Sequence, residues 1–254
     1  ECEFLIFDET LIDSIHLADM EASSPVETTG QVRWFKRPTP GMTYLTSLDP
    51  AMGTGGDYAA IQVFELPTFE QVGEWHHNTT PMNQQVRILQ QINKHIHDSI
   101  MEKDSSATPQ IFYSMENNTI GEAALLRVMD IGEENIMGMF LSEPIRKGHR
   151  RKFRRGFNTT AKHKIDACTK FKELIENNKM KINSQLLISE LKDFVASGMS
   201  YKAKPGQHDD LVSSCLLMTR MMKVLADFDP KIFEKWTDRT SELAPMPIFG
   251  SFTG

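Results

Sequence analysis

The chain has few cysteines: Cys2, Cys168 and Cys215 are the only three in 254 residues. An odd number without metal-ligand spacing fits a reducing compartment rather than a disulfide framework. No apolar run approaches the ~20 residues that span a bilayer. There is no signal-peptide pattern at the start, so no membrane partner is expected. The first residue is Glu1 rather than Met, so the chain reads as a piece of a longer protein. No G-x-x-x-x-G-K-[ST] occurs, which excludes ATP hydrolysis by the P-loop route within these residues. No convincing Ser-His-Asp or Cys-His arrangement is present, so a covalent nucleophile is not indicated. Internal repeats and low-complexity tracts are also missing. Lys and Arg number 28 against 34 Asp and Glu, a net charge of -6, so any affinity for nucleic acid has to come from a local patch.

What is present is ordinary for a globular protein, with 40% hydrophobic and 24% charged residues. Residues 1–40 read as a peripheral linker or junction segment, with a short strand and turn in "CEFLIFDETLI", a polar loop in "ASSPVETTGQ" and a Pro-punctuated "KRPTPG". Residues 41–254 read as one domain. Strand signals cluster in "MTYLTSLD", "YAAIQVFEL" and "EQVGEWHHN", whose short connections predict an antiparallel meander. A helix follows, with Val86, Leu89, Ile92, Ile96 and Ile100 at helical spacing, and with Thr80 as N-cap and Pro81 as its first residue. Then come a strand, "PQIFYSME", and a helix, "TIGEAALLRVMDIG". "IMGMFL" is a further candidate strand. Helical patterns return in "TTAKHKIDACTKFKELIENN", "NSQLLISELKDFVAS" and "DDLVSSCLLMTRMMKVLADF", before an extended Pro- and Gly-containing tail, "ELAPMPIFGSFTG".

Acidic residues sit at the ends of these elements. Asp49 ends the first strand, just before Pro50 and a Gly-rich loop. It reads either as a turn starter or as a metal ligand held by the sheet. Glu116 ends "IFYSM", where it could simply be solvated. Asp209 and Asp210 open the last helix, where either could be an N-cap. The β-β-β-α-β-α order places the fourth strand beside the first and parallel to it. Asp49 and Glu116 are then neighbours at the carboxyl edge of the sheet. Two carboxylates so close repel unless a cation lies between them, and Mg²⁺ or Mn²⁺ suits oxygen ligands. The densest basic run is "RKGHRRKFRRGF", which contains no acid. It either forms a solvated face or contacts phosphates through Arg146, Lys147, Arg150, Arg151, Lys152, Arg154 and Arg155, continuing to Lys162 and Lys164. No base-reading motif accompanies it, so contacts to the DNA backbone with little sequence preference are expected. The stripe "FEKWTDRTSEL" after Pro230 reads as packing or as a docking contact.

"LTSLDPAMGTGGDYAAIQVFE", "FYSMENNTIGEAALL" and "GQHDDLVSSCLL" together resemble the three acidic motifs in the nuclease domain of tailed-bacteriophage large terminases, especially the T-even type. "ECEFLIFDETLI" resembles the junction between motor and nuclease in that family. The resemblance covers essentially the whole chain. It implies an RNase H-like α/β fold, a central mixed β-sheet flanked by helices. It also implies an endonuclease that cuts concatemeric viral double-stranded DNA when packaging starts and ends. Asp49 and Glu116 would then hold two Mg²⁺ or Mn²⁺ ions with Asp209 or Asp210. Asp57 would support the site or be a plain turn residue. His208 would shuttle a proton, bond a ligand, or have no role. The implied partners are the ATPase motor domain, the portal and the small terminase subunit, at the prohead in the host cytoplasm. Two other readings compete: another RNase H-like nuclease such as a resolvase or transposase core, and a module that only binds DNA or a capsid partner.

Overall fold

The computed structural model describes residues 9–144 and 155–228. Its elements, in chain order, are α1 (Ser14–Asp19), β1 (Glu27–Thr29), β2 (Val32–Trp34), β3 (Thr43–Asp49), β4 (Ala59–Leu66), β5 (Glu70–His77), α2 (Met82–Lys103), β6 (Gln110–Met115), α3 (Thr119–Ile131), β7 (Met139–Phe140), α4 (Ala161–Glu176), α5 (Gln185–Asp193), β8 (Phe194–Ser197), β9 (Ser200–Ala203) and α6 (Asp210–Phe228). Seven strands form one mixed sheet in the order β1-β2-β5-β4-β3-β6-β7. β3, β4 and β5 are the expected antiparallel meander. β6 lies parallel to β3, and β7 parallel to β6.

The sheet is covered on both faces, so β3 and β4 are buried along almost their whole length. Side chains alternate across a strand. Tyr44 and Leu48 of β3 and Ile111, Tyr113 and Met115 of β6 pack with Val86, Leu89, Ile92 and Ile96 of α2 and Val128 of α3. Leu45 of β3 and Phe64 of β4 pack on the other face with Phe171 of α4, Leu187 of α5 and Val212 and Cys215 of α6. Ser47, in phase with Leu45, donates to the Ser214 carbonyl of α6 at 2.9 Å and lies 2.8 Å from its hydroxyl. The same alternation puts Asp49 and Glu116 on the α6 face.

Four readings from sequence change. Residues 1–40 are more than a peripheral linker, because β1 and β2 extend the main sheet and Leu11, Ile12 and Trp34 are buried in the core. Thr80 does not cap α2. The first helical bonds run from Gln84 and Gln85 to the Pro81 carbonyl, which makes Pro81 the half-in residue. The Thr80 hydroxyl faces His77 Nδ1 instead. "NSQLLISELKDFVAS" is helical only to Asp193, since Phe194–Ser197 turns at Gly198, with φ +61°, into a hairpin with β9. Finally, "ASSPVETTGQ" contains β1. The strand-and-turn reading of "CEFLIFD", the basic residues Arg146, Lys147, Arg150, Arg151, Lys152 and Arg154, the "FEKWTDRTSEL" stripe and the extended tail lie outside the described residues.

Candidate active site

Asp49 and Glu116 come together because β3 and β6 run parallel in a fixed register. Leu48 pairs with Met115, and the Glu116 amide donates to the Leu48 carbonyl at 3.1 Å. Each carboxylate is thus the next residue on its strand, on the same face. Asp49 makes no hydrogen bond to the backbone of the following loop among the described residues. Burial pushes its carboxyl well above the usual range, and the adjacent Glu116, then Asp210 and Asp209, push it further in the same direction.

Glu116 is held from the start of α3. Asn118 caps that helix by accepting from the Gly121 amide at 2.7 Å, and its amide nitrogen donates to Glu116 Oε2 at 3.1 Å. A Cβ on Gly121 would lie 1.8 Å from the Glu116 carbonyl oxygen, so only glycine allows this close approach. On the other flank, Phe157 bridges to Glu116 in parallel fashion, and the Asn117 amide donates to the Phe157 carbonyl at 2.7 Å.

Asp209 and Asp210 stand at the N-terminus of α6, but neither side chain caps it. The Leu211 and Val212 amides both donate to Glu190 Oε2 of α5, at 2.9 and 3.1 Å. The Asp209 carboxylate faces Lys164 at 3.7 Å. Asp210 Oδ2 accepts from the Tyr58 amide at 3.3 Å and lies 3.6 Å from His208 Nδ1. Burial raises the Asp210 carboxyl to about 6; the Tyr58 amide opposes that shift, and Asp209 and Asp57 add to it. Asp57 is exposed in the Gly-rich loop. That loop packs tightly against Thr80, where a Cβ on Gly53 would come within 2.3 Å of the carbonyl oxygen.

A cleft of about 230 Å³ opens beside the two strand ends. Asp49 and Glu116 are among its lining residues. His163 and Lys164 of α4, Ser213 and Arg220 of α6, and Thr159 line it too, beside the apolar Ala167, Leu216 and Leu217. Asp209 and Asp210 are not among the lining residues, although both act electrostatically on Asp49. Among the described residues, the only trio of histidine, cysteine or acidic side chains with ligand atoms mutually within 4.8 Å is Asp13, His16 and Glu176, far in sequence from these motifs. The four motif carboxylates are therefore neighbours rather than a closed cage. Of the basic residues expected to meet DNA, Lys164 lines the cleft, Lys162 is exposed on α4, and Arg155 pairs with Glu133.

The family described as Terminase RNaseH-like domain matches residues 46–221. The chain belongs to that family. Its fold is RNase H-like, as expected, and family membership separates it from resolvase and transposase cores. Similar solved structures include the large terminase nuclease from thermophilic phage G20c with bound magnesium, at 16% identity and TM-score 0.61, covering 84% of this chain and 97% of that one. The Thermus phage P74-26 large terminase nuclease domain matches at 17% identity and TM-score 0.56, covering 80% and 90%. The human cytomegalovirus terminase nuclease domain, manganese-soaked and inhibitor-bound, matches at 14% identity and TM-score 0.51, covering 83% and 93%. At such identities the likeness is one of fold.

Sequence reading missed Asn118, Glu190, His163 and Arg220. Only Asn118 carried a local signal, as an Asn before a helix with Gly three residues on. The other three reach the site by tertiary approach alone. No helix among the described residues is long and apolar enough to cross a membrane.

Proposed function

We propose that this domain is a divalent-metal-dependent endonuclease that cuts concatemeric viral double-stranded DNA at the start and end of genome packaging, with motifs worded as in T-even phages. The observation that carries the reading is the pairing of Asp49 with Glu116 at adjacent parallel strand ends, facing the helix that begins at Asp209 and Asp210. The donor set fits Mg²⁺ or Mn²⁺: all ligand atoms are oxygens, and the charge crowding that raises Asp49 is what a cation would relieve. Asp49, Glu116 and one of Asp209 and Asp210 would hold the metal, with Asp57 and His208 as supporting groups. Bound there, two ions supply an activated water and stabilise the departing oxygen of the phosphodiester. Lys164 and the basic residues from Arg146 to Arg155, with Lys162, would hold the DNA backbone without reading bases. The partners of this reading are the ATPase motor domain, the portal and the small terminase subunit, at the prohead in the host cytoplasm.

The test is cleavage of plasmid DNA with Mg²⁺ or Mn²⁺ and no ATP. Nicking and linearisation that EDTA abolishes are expected. Asp49→Ala and Glu116→Ala should each slow cleavage roughly a thousandfold, about 4 kcal/mol of barrier, while DNA binding persists. A folded Asp49→Ala protein that cuts at the wild-type rate would return Asp49 to its turn-forming reading. DNA binding without cleavage by the wild type would make this a binding module.

A further inference from the structure

The cleft lined by Asp49 and Glu116 is also lined by a histidine, His163, whose ring Nε2 has no hydrogen-bond partner among the described residues. Thr160 caps α4 by accepting from the His163 amide at 3.2 Å, which fixes the residue in the first turn. The ring Nδ1 lies 2.8 Å from the Asn158 carbonyl oxygen. A carbonyl only accepts, so Nδ1 carries the hydrogen. Arg220 Nη2 donates to the Asn158 carbonyl at 3.0 Å and also points a hydrogen at the same ring nitrogen from 3.3 Å, the longer contact, so the 2.8 Å bond to the carbonyl sets the tautomer. Arg220 also binds Glu143 and, through Nη1, the Thr159 hydroxyl at 3.0 Å, so the whole support is tied to α6. Glu143 Oε2 accepts from the Asn158 amide at 3.3 Å, which holds the Asn158 carbonyl in place. In the neutral ring, Nε2 then bears a lone pair on the side away from this support, and the residue lines the cleft shared with Asp49 and Glu116.

We propose that His163 Nε2 is the proton acceptor for the water that attacks the phosphodiester, an inference that rests on the nuclease reading above. As the water oxygen bonds to phosphorus, its proton passes to Nε2. The bond from phosphorus to the 3′ oxygen breaks, and that oxygen takes a proton from solvent. The products are a 5′-phosphate and a 3′-hydroxyl, and His163 returns its proton to solvent. The charged groups that face the ring or share its cleft are Arg220 from α6, Glu143 from the segment after β7, whose Oε1 lies 3.8 Å from Nδ1, Lys164 on its own helix, and Asp49 and Glu116. Arg220 and Glu143 serve as positioning residues that set the tautomer.

Three measurements on the folded domain test this. Nitrogen NMR of the metal-free protein should show His163 protonated at Nδ1 and bare at Nε2; a hydrogen on Nε2 overturns the proposal. His163→Gln should cut plasmid DNA about a hundredfold more slowly, with unchanged binding of a DNA duplex. A wild-type rate in that variant would overturn it. Added imidazole should restore cleavage to His163→Ala and leave Asp49→Asn inactive; rescue of neither or of both counts against His163 as acceptor. A wild-type domain that cuts no DNA with Mn²⁺ sinks the nuclease reading itself, whereas a cutting wild type beside an unaffected His163→Gln sinks only this inference.

Discussion

Asp49 shows how a single residue's meaning depends on the strand beneath it. Period-two alternation from Leu45 through Ser47 sends its carboxylate to the α6 face, away from the Pro50 turn. What was legible in sequence was that Asp49 and Glu116 are neighbours, because the β-β-β-α-β-α order sets their strands side by side and parallel; the face they share was not, since β3 is buried on both sides and shows no apolar alternation. The electrostatic cost of the arrangement yields a prediction. Asp49 lies well above the usual carboxylate range, and Asp210 rises from 3.8 to about 6, both first through burial. A raised native value means that, between the unfolded value and the native one, the folded protein binds more protons than the unfolded chain. Stability must then fall as pH rises through that window. In EDTA, the domain should therefore lose stability between roughly pH 4 and pH 6 on account of Asp210 alone. Asp210→Asn should flatten this slope and gain up to about 3 kcal/mol at neutral pH. Urea midpoints at several pH values check it, and a slope unchanged by Asp210→Asn would show that the burial of this carboxyl carries no cost.

At the scale of elements, the site depends on where α6 starts, and Glu190 of α5 sets that point. Its Oε2 takes the two amides that an Asp209 or Asp210 cap would otherwise have taken, which leaves those carboxylates free to face Lys164 and Tyr58. Burial pushes the Glu190 carboxyl up to about 8, with Asp210 and Asp209 adding to the shift. A neutral acid therefore does the capping at neutral pH, and Glu190→Gln keeps an acceptor oxygen of the same reach. Glu190→Gln should retain the wild-type melting temperature or exceed it, while Glu190→Ala should lose about 1–2 kcal/mol. Equal stability of the Ala and Gln variants would remove Glu190 from this role. No periodicity in α5 announces such a cap, because it acts between helices. The short elements were hidden for a different reason. β1, β2, β8 and β9 have three or four residues each, too few to establish a period, so their pairing becomes visible only when the partner strand is in place.

For the molecule as a whole, the site is a junction of parts distant in sequence. Asp49 ends β3, Glu116 follows β6, and Asp209 and Asp210 open α6. The sheet and the Ser47–Ser214 contacts bring these parts together, and the carboxylates oppose the meeting. A chain of net charge -6 thus spends folding energy gathering negative charge at one end of its sheet. A cation placed there reverses the sign of that term, and the unfolded chain, with its carboxylates scattered, offers no equivalent site. Mg²⁺ or Mn²⁺ should consequently bind the native state and stabilise it. At a concentration ten times the dissociation constant the gain is about 1.4 kcal/mol, which for a domain of this size raises the melting temperature by roughly 3–6 °C. Asp49→Asn removes one charge from the cluster and should lower the metal-dependent rise while raising the melting temperature in EDTA, since the asparagine no longer repels Glu116. These opposite movements separate a ligand from a structural aspartate, because losing a turn contact would lower stability with and without metal alike. A metal-dependent rise of equal size in wild type and Asp49→Asn would place the cation elsewhere, and the trio Asp13, His16 and Glu176 would be the first alternative to substitute.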